Sequence, residues 1–329
     1  MPLIDPTDYN PPWWLRNHHV NTFYAGLFRK VEGVHYQRER LELPDGDFVD
    51  LDWSRVPGAR QLVIVIHGME GHADRPYVRG MIRQFNRMGW DGIGMNLRGC
   101  SGEPNRLLRT YHVGDTADLS EVIQKAAAAH IYKHIVLVGF SLGGNVVMKY
   151  AGERGEAVNS LVKAAIGISV PCDVAGSSEV ISRWYNRLYV IGFLHTLNPK
   201  IEEKARRFPE HYRLPERLPK TFLEFDEWYT APVHGFSDAK HYWDANGCLQ
   251  YLPGLRIPAL LMNARDDTFL SRASFPGEEA RQNPYFYLRA PKNGGHVGFV
   301  TFSEHGSYWT DQQAVRFAQQ VCSGAPVHF

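Results

Sequence analysis

Ser141 stands two residues from a glycine on each side, Gly139 and Gly143, in a Gly-x-Ser-x-Gly pattern. The β-branched run at 135–138 predicts a strand before the serine, and the apolar spacing over 146–150 predicts a helix after it. A serine at such a junction is held in a tight turn, where a Cβ at either glycine would clash across the turn. Because backbone strain of about 1–3 kcal/mol usually persists only where function needs it, the pattern indicates an exposed nucleophile.

A serine hydroxyl is a weak nucleophile, so it needs a histidine to accept its proton and a carboxylate to orient that histidine. The predicted strand at 257–263 runs into the adjacent pair Asp266 and Asp267. The predicted strand at 285–289 runs into a glycine turn that ends at His296. Since active sites of open α/β sheets lie at the carboxyl ends of strands, the order serine, acid, histidine predicts one catalytic site.

Stabilising a tetrahedral oxyanion requires two backbone N–H groups aimed at one point. Leu142, the residue after the nucleophile, is the first candidate. The second candidate is Met69 in the loop His67-Gly68-Met69, which follows a predicted buried strand at 61–66. An ordinary turn at the end of that strand is the alternative interpretation of this loop.

The elements that must position these residues alternate as strand and helix along most of the chain. A hairpin is predicted around Pro44–Asp47, and further strands are predicted at 91–96 and 161–170, with helices near 77–88, 115–127 and after 311. Such alternation is typical of an α/β fold with a mostly parallel central sheet flanked by helices. From about 177 to 255 the pattern becomes helical and aromatic, which predicts a cap inserted into a single domain spanning 1–329. Residues 1 to about 36 form an N-terminal arm.

Bulk composition narrows the class of protein. With 36 Lys and Arg against 35 Asp and Glu, the charge is nearly balanced, so a nucleic-acid partner is not indicated. The four cysteines lie far apart, which favours free thiols in a reducing compartment. No signal peptide and no transmembrane segment are recognised, so we expect a cytoplasmic protein. The chemistry needs no cofactor and no metal, and the oligomeric state is left open.

The chain resembles the YheT-like branch of the α/β-hydrolase fold family, relatives of the abhydrolase-domain lipases and esterases. The segments that carry this resemblance are 14–17 with 21–22, 67–71, 96–106, 111–112, 139–145, 263–267 and 294–299. The resemblance implies hydrolysis of carboxylic esters of short to medium acyl chains, with acylglycerols or phospholipids as substrates of some relatives. In the usual hydrolase pattern the acid is the third residue after a small turn residue. Counting from Ala264 therefore favours Asp267 as the acid.

The sequence departs from the family at two positions that carry no catalytic group. Thr268 stands where the family usually has proline, and Asn21 where it often has glutamine. Under this assignment, we expect Asp266 to point away from the histidine and to accept loop N–H bonds.

Other functions stay open at this stage. A non-catalytic binding protein on a hydrolase scaffold is one alternative, and a thioesterase, amidase or acyltransferase with the same triad is another. Cys100 could be a second nucleophile, although no histidine is assigned to activate it. The histidine pairs at 18–19 and at 67 and 72 lack neighbouring ligands, so a metal site is disfavoured. Arg98 is expected to be structural.

Two apolar clusters are candidates for contact with substrate or membrane. In the predicted cap, a dense apolar patch contains Trp184 and Phe193, which could close an acyl groove or simply pack the cap. In the N-terminal arm, the pair Trp13-Trp14 and the residues at 23–28 could touch a membrane. Packing of the arm against the domain is the favoured interpretation of this second cluster.

Overall fold

A computed structural model describes residues 3–4, 8–303 and 305–328. Within this part of the chain one sheet has the strand order β1-β9-β8-β7-β6-β4-β5-β3-β2. Its strands are β1 (Leu3–Ile4), β2 (Gln37–Glu42), β3 (Phe48–Ser54), β4 (Gln61–Ile66), β5 (Asp91–Asn96), β6 (His134–Phe140), β7 (Val162–Ile168), β8 (Ala259–Met262) and β9 (Phe286–Arg289). Neighbouring strands are parallel except around β3, which pairs antiparallel with both β2 and β5.

The helices join these strands. They are α1 (His18–Phe28), α2 (Pro76–Asn86), α3 (Ala117–Ala128), α4 (Leu142–Arg154), α5 (Val174–Ile181), α6 (Arg187–Arg207), α7 (Phe222–Phe225), α8 (Ala231–Val233), α9 (Ala239–Asn246), α10 (Gly277–Gln282) and α11 (Trp309–Ser323). Short 3₁₀ segments lie at Trp13–Arg16, Gly155–Ala157, Trp184–Asn186, Cys248–Gly254 and Arg272–Ser274, and a π-helical turn at Asp226–Thr230. None of the described helices is long and apolar enough to cross a membrane.

The predicted α/β architecture is confirmed, with boundaries that differ by a few residues. The hairpin is the antiparallel pair β2–β3, whose register places Leu41 opposite Val49. The helix predicted from about 115 begins at Ala117, and the last helix begins at Trp309 rather than near 311. Such shifts are expected because apolar spacing marks the buried turns of a helix better than its ends.

Strand β4 shows how the sheet forms two cores. Its side chains alternate between the two faces, as the pleat of a strand requires. Leu62, Ile64 and Ile66 pack with residues of α3 and α4, whereas Val63 and Val65 pack with residues of α2 and α11. All five are fully buried, which explains why this strand reads as a continuous apolar run.

Between β7 and β8 the chain forms helices α5 to α9 and no strand. This segment, residues 169–258, is called the helical segment below. Helix α6 turns Val190, Leu194, Leu197 and Ile201 inward, where they pack with aromatic residues of the same segment. The small core contacts Met69 at the carboxyl end of β4, so the helical segment lies over the edge of the sheet where parallel strands end.

Arg98 follows β5 and joins the hairpin to helix α3. Its guanidinium donates to both carboxylate oxygens of Asp118, at 2.7 and 2.6 Å, and to Asp45 and Asp47 at 2.8 and 3.2 Å. The side chain is only 3% exposed. These contacts support a structural function for Arg98, because the buried carboxylates of Asp47 and Asp118 would lose their counter-charge without it.

Replacing Arg98 by methionine should therefore lower the free energy of unfolding by about 3–5 kcal/mol, since buried carboxylates are left unpaired. Arg106→Met is the matched control, because Arg106 pairs with Glu42 at the surface and its loss should lower the free energy of unfolding far less. Urea denaturation at neutral pH measures both. Equal stability of the two variants would contradict the structural assignment.

Candidate active site

Ser141 lies in a strained turn between β6 and α4. Its φ of 52° and ψ of −118° fall outside the regions that L-residues favour, and its N–H donates to Ile168 O at 2.8 Å. A Cβ on Gly139 would lie 2.1 Å from Gly143 O, and one on Gly143 would lie 2.5 Å from His67 O. Only glycine fits at these two places, as the sequence pattern predicts.

His296 and Asp267 meet Ser141 at the carboxyl edge of the sheet. The Ser141 Oγ and His296 Nε2 atoms are 2.9 Å apart, and His296 Nδ1 and Asp267 Oδ2 are 2.8 Å apart. Because an ionised carboxylate can only accept, Nδ1 carries the proton and Nε2 accepts from the serine hydroxyl. The Asp267 side chain is fully buried and that of His296 is 11% exposed. The structure thus brings together all three predicted residues.

The two adjacent carboxylates have different partners. Asp267 Oδ1 accepts the N–H of Phe269 at 2.9 Å, which leaves Oδ2 for the histidine. Asp266 Oδ1 accepts the N–H of Gly295 at 2.9 Å, and Asn293 Nδ2 lies 3.4 Å from Asp266 Oδ2. Asp266 therefore braces the turn before His296 instead of contacting the imidazole.

Several residues that hold His296 in place were not predicted. Its N–H donates to Thr22 Oγ1 at 2.9 Å, and the next N–H, of Val297, donates to Ser169 Oγ at 2.8 Å. The Phe269 ring stacks on the imidazole with 4.3 Å between centroids. Thr22 lies in helix α1 and Ser169 directly after β7, and hydroxyl residues are too common to stand out in one sequence. Their function depends on contacts between distant segments.

The loop after β4 lies against the nucleophile. A Cβ on Gly68 would be 3.1 Å from Ser141 Cβ, so only a residue without a side chain lets the two backbones approach. His67 fixes this loop, because its Nε2 accepts the N–H of Leu97 at 3.1 Å and its Nδ1–H donates to Gly68 O at 2.7 Å. Burial lowers the pKa of His67 to about 3, which keeps the ring neutral.

Met69 and Leu142, the predicted oxyanion donors, both line the cavity that contains Ser141 and His296. Leu142 is the first residue of α4, where backbone N–H groups have no acceptor within the helix. The positive end of the helix dipole points to the same place. The arrangement can therefore stabilise a developing negative charge near Ser141.

Two cavities that share lining residues lie near the carboxyl edge of the sheet, and one of them contains Ser141. The smaller, about 110 Å³, contains Ser141 and His296 with Ile181, Phe193 and Phe269. The larger, about 360 Å³, extends under α6. Residues that line both cavities are Met69, Leu142, Phe222, Asp226 and Tyr242. Apolar walls predominate, so the site suits an ester with hydrocarbon parts.

Phe193 and Trp184, the predicted substrate-contacting residues, lie in different places. Phe193 lines the Ser141 cavity and packs against Phe222, with 5.9 Å between ring centroids. Trp184 is 85% exposed and does not line either cavity. The prediction that Trp184 contacts substrate is therefore wrong for these two cavities, whereas Phe193 is in position to do so. Trp184 lies in the 3₁₀ turn before α6, whose inward face begins only at Val190.

Burial raises the pKa of two further titratable groups near the cavities, Asp226 and Cys100. Asp226 accepts the indole N–H of Trp243 at 2.7 Å, and burial raises its pKa to about 6. Asp226 was not identified from the sequence as a residue that lines the cavities. Nothing in an aromatic-rich helical stretch distinguishes one acid that lines a cavity from the others. Burial also raises the pKa of the Cys100 thiol to about 12, so a thiolate there is strongly disfavoured.

The two departures from the family pattern both form hydrogen bonds. Thr268 Oγ1 donates to Asn186 Oδ1 at 2.9 Å, and Asn186 Nδ2 donates back to Thr268 O at 2.7 Å. Asn21 Nδ2 donates to Leu15 O at 2.9 Å, and its Oδ1 accepts from Val300 N at 3.3 Å. Thr268 thus ties the acid loop to the helical segment. Asn21 ties the N-terminal arm to the loop after His296.

Candidate metal ligands are not grouped around this site. In the described ranges, no three His, Cys, Asp or Glu side chains lie close enough to hold an ion. Both ring nitrogens of His67 are hydrogen-bonded to the backbone. His18 and His19 pack ring against ring, and His19 Nδ1 lies 3.0 Å from Tyr189 Oη.

The chain belongs to the α/β-hydrolase fold family, which matches residues 61–302. Among solved structures, an esterase of Pyrococcus furiosus superposes with a TM-score of 0.57 at 17% identity, covering 88% of this chain and 91% of that one. This likeness shows the fold. The predicted family and fold class are both confirmed.

Sequence relatives identify the esterase and lipase type within this family. The chain is 33% identical to YheT of Escherichia coli K12, named a candidate esterase, over 89% of this chain and 87% of that protein. It is 27% identical to phospholipase ABHD3 of Mus musculus over 91% of this chain and 74% of that protein. The predicted resemblance to the YheT-like branch is thereby confirmed.

Because the two carboxylates have different contacts, replacing each of them should affect activity differently. Asp267→Asn should lower turnover by about 10⁴-fold, because the imidazole loses the acceptor that selects its tautomer. Asp266→Asn should keep a substantial part of the activity, because it loses only a contact to the loop. Rates of p-nitrophenyl ester hydrolysis, with circular dichroism as a check of folding, compare the two. The reverse order of activity would move the acid to Asp266.

Proposed function

We propose that this protein is a serine hydrolase that cleaves carboxylic esters through an acyl-enzyme formed on Ser141. The observation that carries the proposal is the continuous hydrogen-bonded chain from Ser141 Oγ through both nitrogens of His296 to Asp267. The strained conformation of Ser141 adds support, because it exposes the hydroxyl at the start of α4. Relatives named as esterases and lipases agree with this chemistry.

In the first step, Ser141 Oγ attacks the ester carbonyl carbon while His296 Nε2 takes the hydroxyl proton. The carbonyl π bond opens to an oxyanion, and the imidazolium that forms is stabilised by Asp267. When the oxyanion collapses, the bond to the alkoxy oxygen breaks and His296 delivers its proton to the leaving alcohol. Water then attacks the acyl-enzyme by the same sequence, releasing the acid and restoring Ser141.

Stabilisation of the oxyanion falls to the N–H groups of Met69 and Leu142. Removing one such donor in serine hydrolases costs about 10²–10³ in turnover, so the loop that carries Met69 must be rigid. His67 supplies that rigidity through its two backbone hydrogen bonds. Because burial lowers its pKa to about 3, His67 is neutral at neutral pH, so its Nε2 stays free to accept the Leu97 N–H.

The helical segment, residues 169–258, acts in this proposal as a cap that forms one wall of the substrate site. Phe193 and Ile181 of the segment face the cavity that contains Ser141. The small volume there suits short to medium acyl chains. The larger cavity, which shares Asp226 and Tyr242 with the first, offers room for the remaining part of an acylglycerol or phospholipid ester.

Ser141→Ala should lower ester hydrolysis by about 10⁴-fold or more, because the covalent route is lost while the cavity is unchanged. The measurement is hydrolysis of p-nitrophenyl butyrate by purified variant and wild type. Cys100→Ser serves as a control and should keep most of the activity, since the buried thiol is protonated. Appreciable turnover by Ser141→Ala, together with loss of activity in Cys100→Ser, would transfer the nucleophile to Cys100.

Phe193→Ala should shift the preferred acyl chain to longer esters, because the ring closes one side of the Ser141 cavity. Each methylene newly admitted to an apolar wall contributes about 0.8 kcal/mol, or roughly a fourfold gain in kcat/KM. The chain-length profile of p-nitrophenyl esters measures this shift.

Trp184→Ala is the matched control for Phe193→Ala, since Trp184 is an aromatic of the same segment that points to solvent. Its chain-length profile should equal that of the wild type. A profile that shifts with Trp184→Ala and not with Phe193→Ala would restore Trp184 as the specificity residue.

A further inference from the structure

Helix α1 turns its apolar side away from the protein. Val20, Phe23 and Leu27 follow helical spacing on one face and are 42%, 44% and 73% exposed. The residues that α1 buries are Asn21 and Ala25. A surface helix normally buries its apolar face, so this reversed arrangement indicates that the outer face contacts something other than water.

Helix α6 presents a second exposed apolar face. It buries Val190 and Leu194 but exposes Leu188 at 76% and Ile191 at 53%. The two helices meet where Phe23 of α1 stacks on Tyr189 of α6, with 5.0 Å between centroids and 11° between planes. The two outer faces are therefore neighbours.

Aromatic residues extend this surface beyond the two helices. Trp14 contacts Tyr24 and Phe302 at centroid distances of 5.3 and 6.1 Å. Trp13 is 80% exposed, and Phe302 is 62% exposed. We name the whole surface the apolar rim, which consists of Trp13, Trp14, Val20, Phe23, Leu27, Phe28, Trp184, Leu188, Ile191 and Phe302.

The apolar rim borders the Ser141 cavity. Tyr189, which joins the two helices, packs edge-on against Phe269 at 4.8 Å, and Phe269 stacks on His296. On the α1 side, Thr22 Oγ1 accepts the N–H of His296. The junction of the two helices is therefore linked to His296 through direct side-chain contacts.

The two segments that carry most of the rim contain basic residues and no acidic ones. No Asp or Glu occurs in 11–31 or in 180–201, the two segments that carry most of the rim. The cations Arg16, Lys30, Arg183 and Arg187 are all exposed. Within the described ranges, none of these four forms an ion pair with a carboxylate.

We propose that the apolar rim docks on an anionic lipid surface and presents the Ser141 cavity to it. Segments that lie in the interface of a membrane typically combine exposed Trp, Phe and Leu side chains with Arg and Lys side chains that have no carboxylate partner. The cations favour anionic headgroups, and the apolar side chains enter the boundary between headgroups and acyl chains. Docking is a binding property that does not depend on ester hydrolysis.

The test is co-sedimentation of the whole protein with vesicles of phosphatidylcholine and phosphatidylglycerol. The wild type should bind these vesicles more tightly than vesicles of phosphatidylcholine alone, and added salt should weaken the binding. The triple variant Trp13→Ser, Leu27→Ser, Leu188→Ser should bind at least about tenfold more weakly. Ile131→Ser is the matched control, because Ile131 is 41% exposed near the amino end of β6, at the opposite edge of the sheet. This control variant should bind vesicles as tightly as the wild type.

Hydrolysis of a water-soluble ester tests the proposed reaction without membrane docking, so a failure of one proposal can be distinguished from a failure of the other. The triple variant should keep wild-type kcat/KM on p-nitrophenyl acetate, since none of its three positions lines a cavity. Undiminished vesicle binding by the triple variant would overturn the proposal, and so would equal binding to vesicles without phosphatidylglycerol. A wild type that ignores vesicles but forms dimers that the triple variant lacks would also overturn it, by making the rim an interface between two copies.

Discussion

The close approach between the turn at Ser141 and the end of β4 is the constraint on which the rest of the site depends. The backbone of Gly143 lies so near His67 O that no side chain fits between them. This contact exposes the serine hydroxyl at the start of α4 and brings the loop that follows β4 alongside it. Ser141 and the proposed oxyanion donors are thus positioned by one packing contact, which the parallel pairing of β4 and β6 makes possible.

The histidine is positioned by segments far apart in the chain. Asp267 contacts the imidazole, whereas Asp266 accepts an N–H of the loop before it. Thr22, in helix α1, accepts the N–H of His296. The N-terminal arm therefore contacts the candidate active site directly and also carries six of the ten residues of the apolar rim. Because α1 contacts the backbone of His296 and also carries part of the rim, docking of the rim would present the Ser141 cavity to a lipid surface in a fixed orientation.

Much of the fold could be predicted from the sequence, since strands buried on both faces give continuous apolar runs and helices give apolar spacing. The choice of Asp267 over Asp266 followed from the resemblance to hydrolases, in which the acid is the third residue after a small turn residue. What could not be predicted depends on long-range contacts. Trp184 and Phe193 belong to one dense apolar patch of the sequence, and only the structure shows that Phe193 reaches the cavity and Trp184 does not. The raised pKa of Asp226 likewise results from neighbours that local sequence does not reveal.

The N-terminal arm illustrates the same limit. Packing against the domain was the favoured interpretation of its aromatic residues, because aromatic residues are usually buried. In the structure, Leu15 and Ala25 are buried, whereas Trp13 and Leu27 are exposed. Helical spacing alone identifies an apolar face but does not say whether that face turns inward or outward.

The central claim is that Ser141 is an activated nucleophile. The most direct measurement is mass spectrometry of the protein after reaction with a fluorophosphonate, with peptide mapping of the adduct. We expect one phosphonate per chain, attached to the peptide that contains Ser141, and slow labelling when His296 is replaced by alanine. An unlabelled wild type, or an adduct on any other residue, would contradict the account.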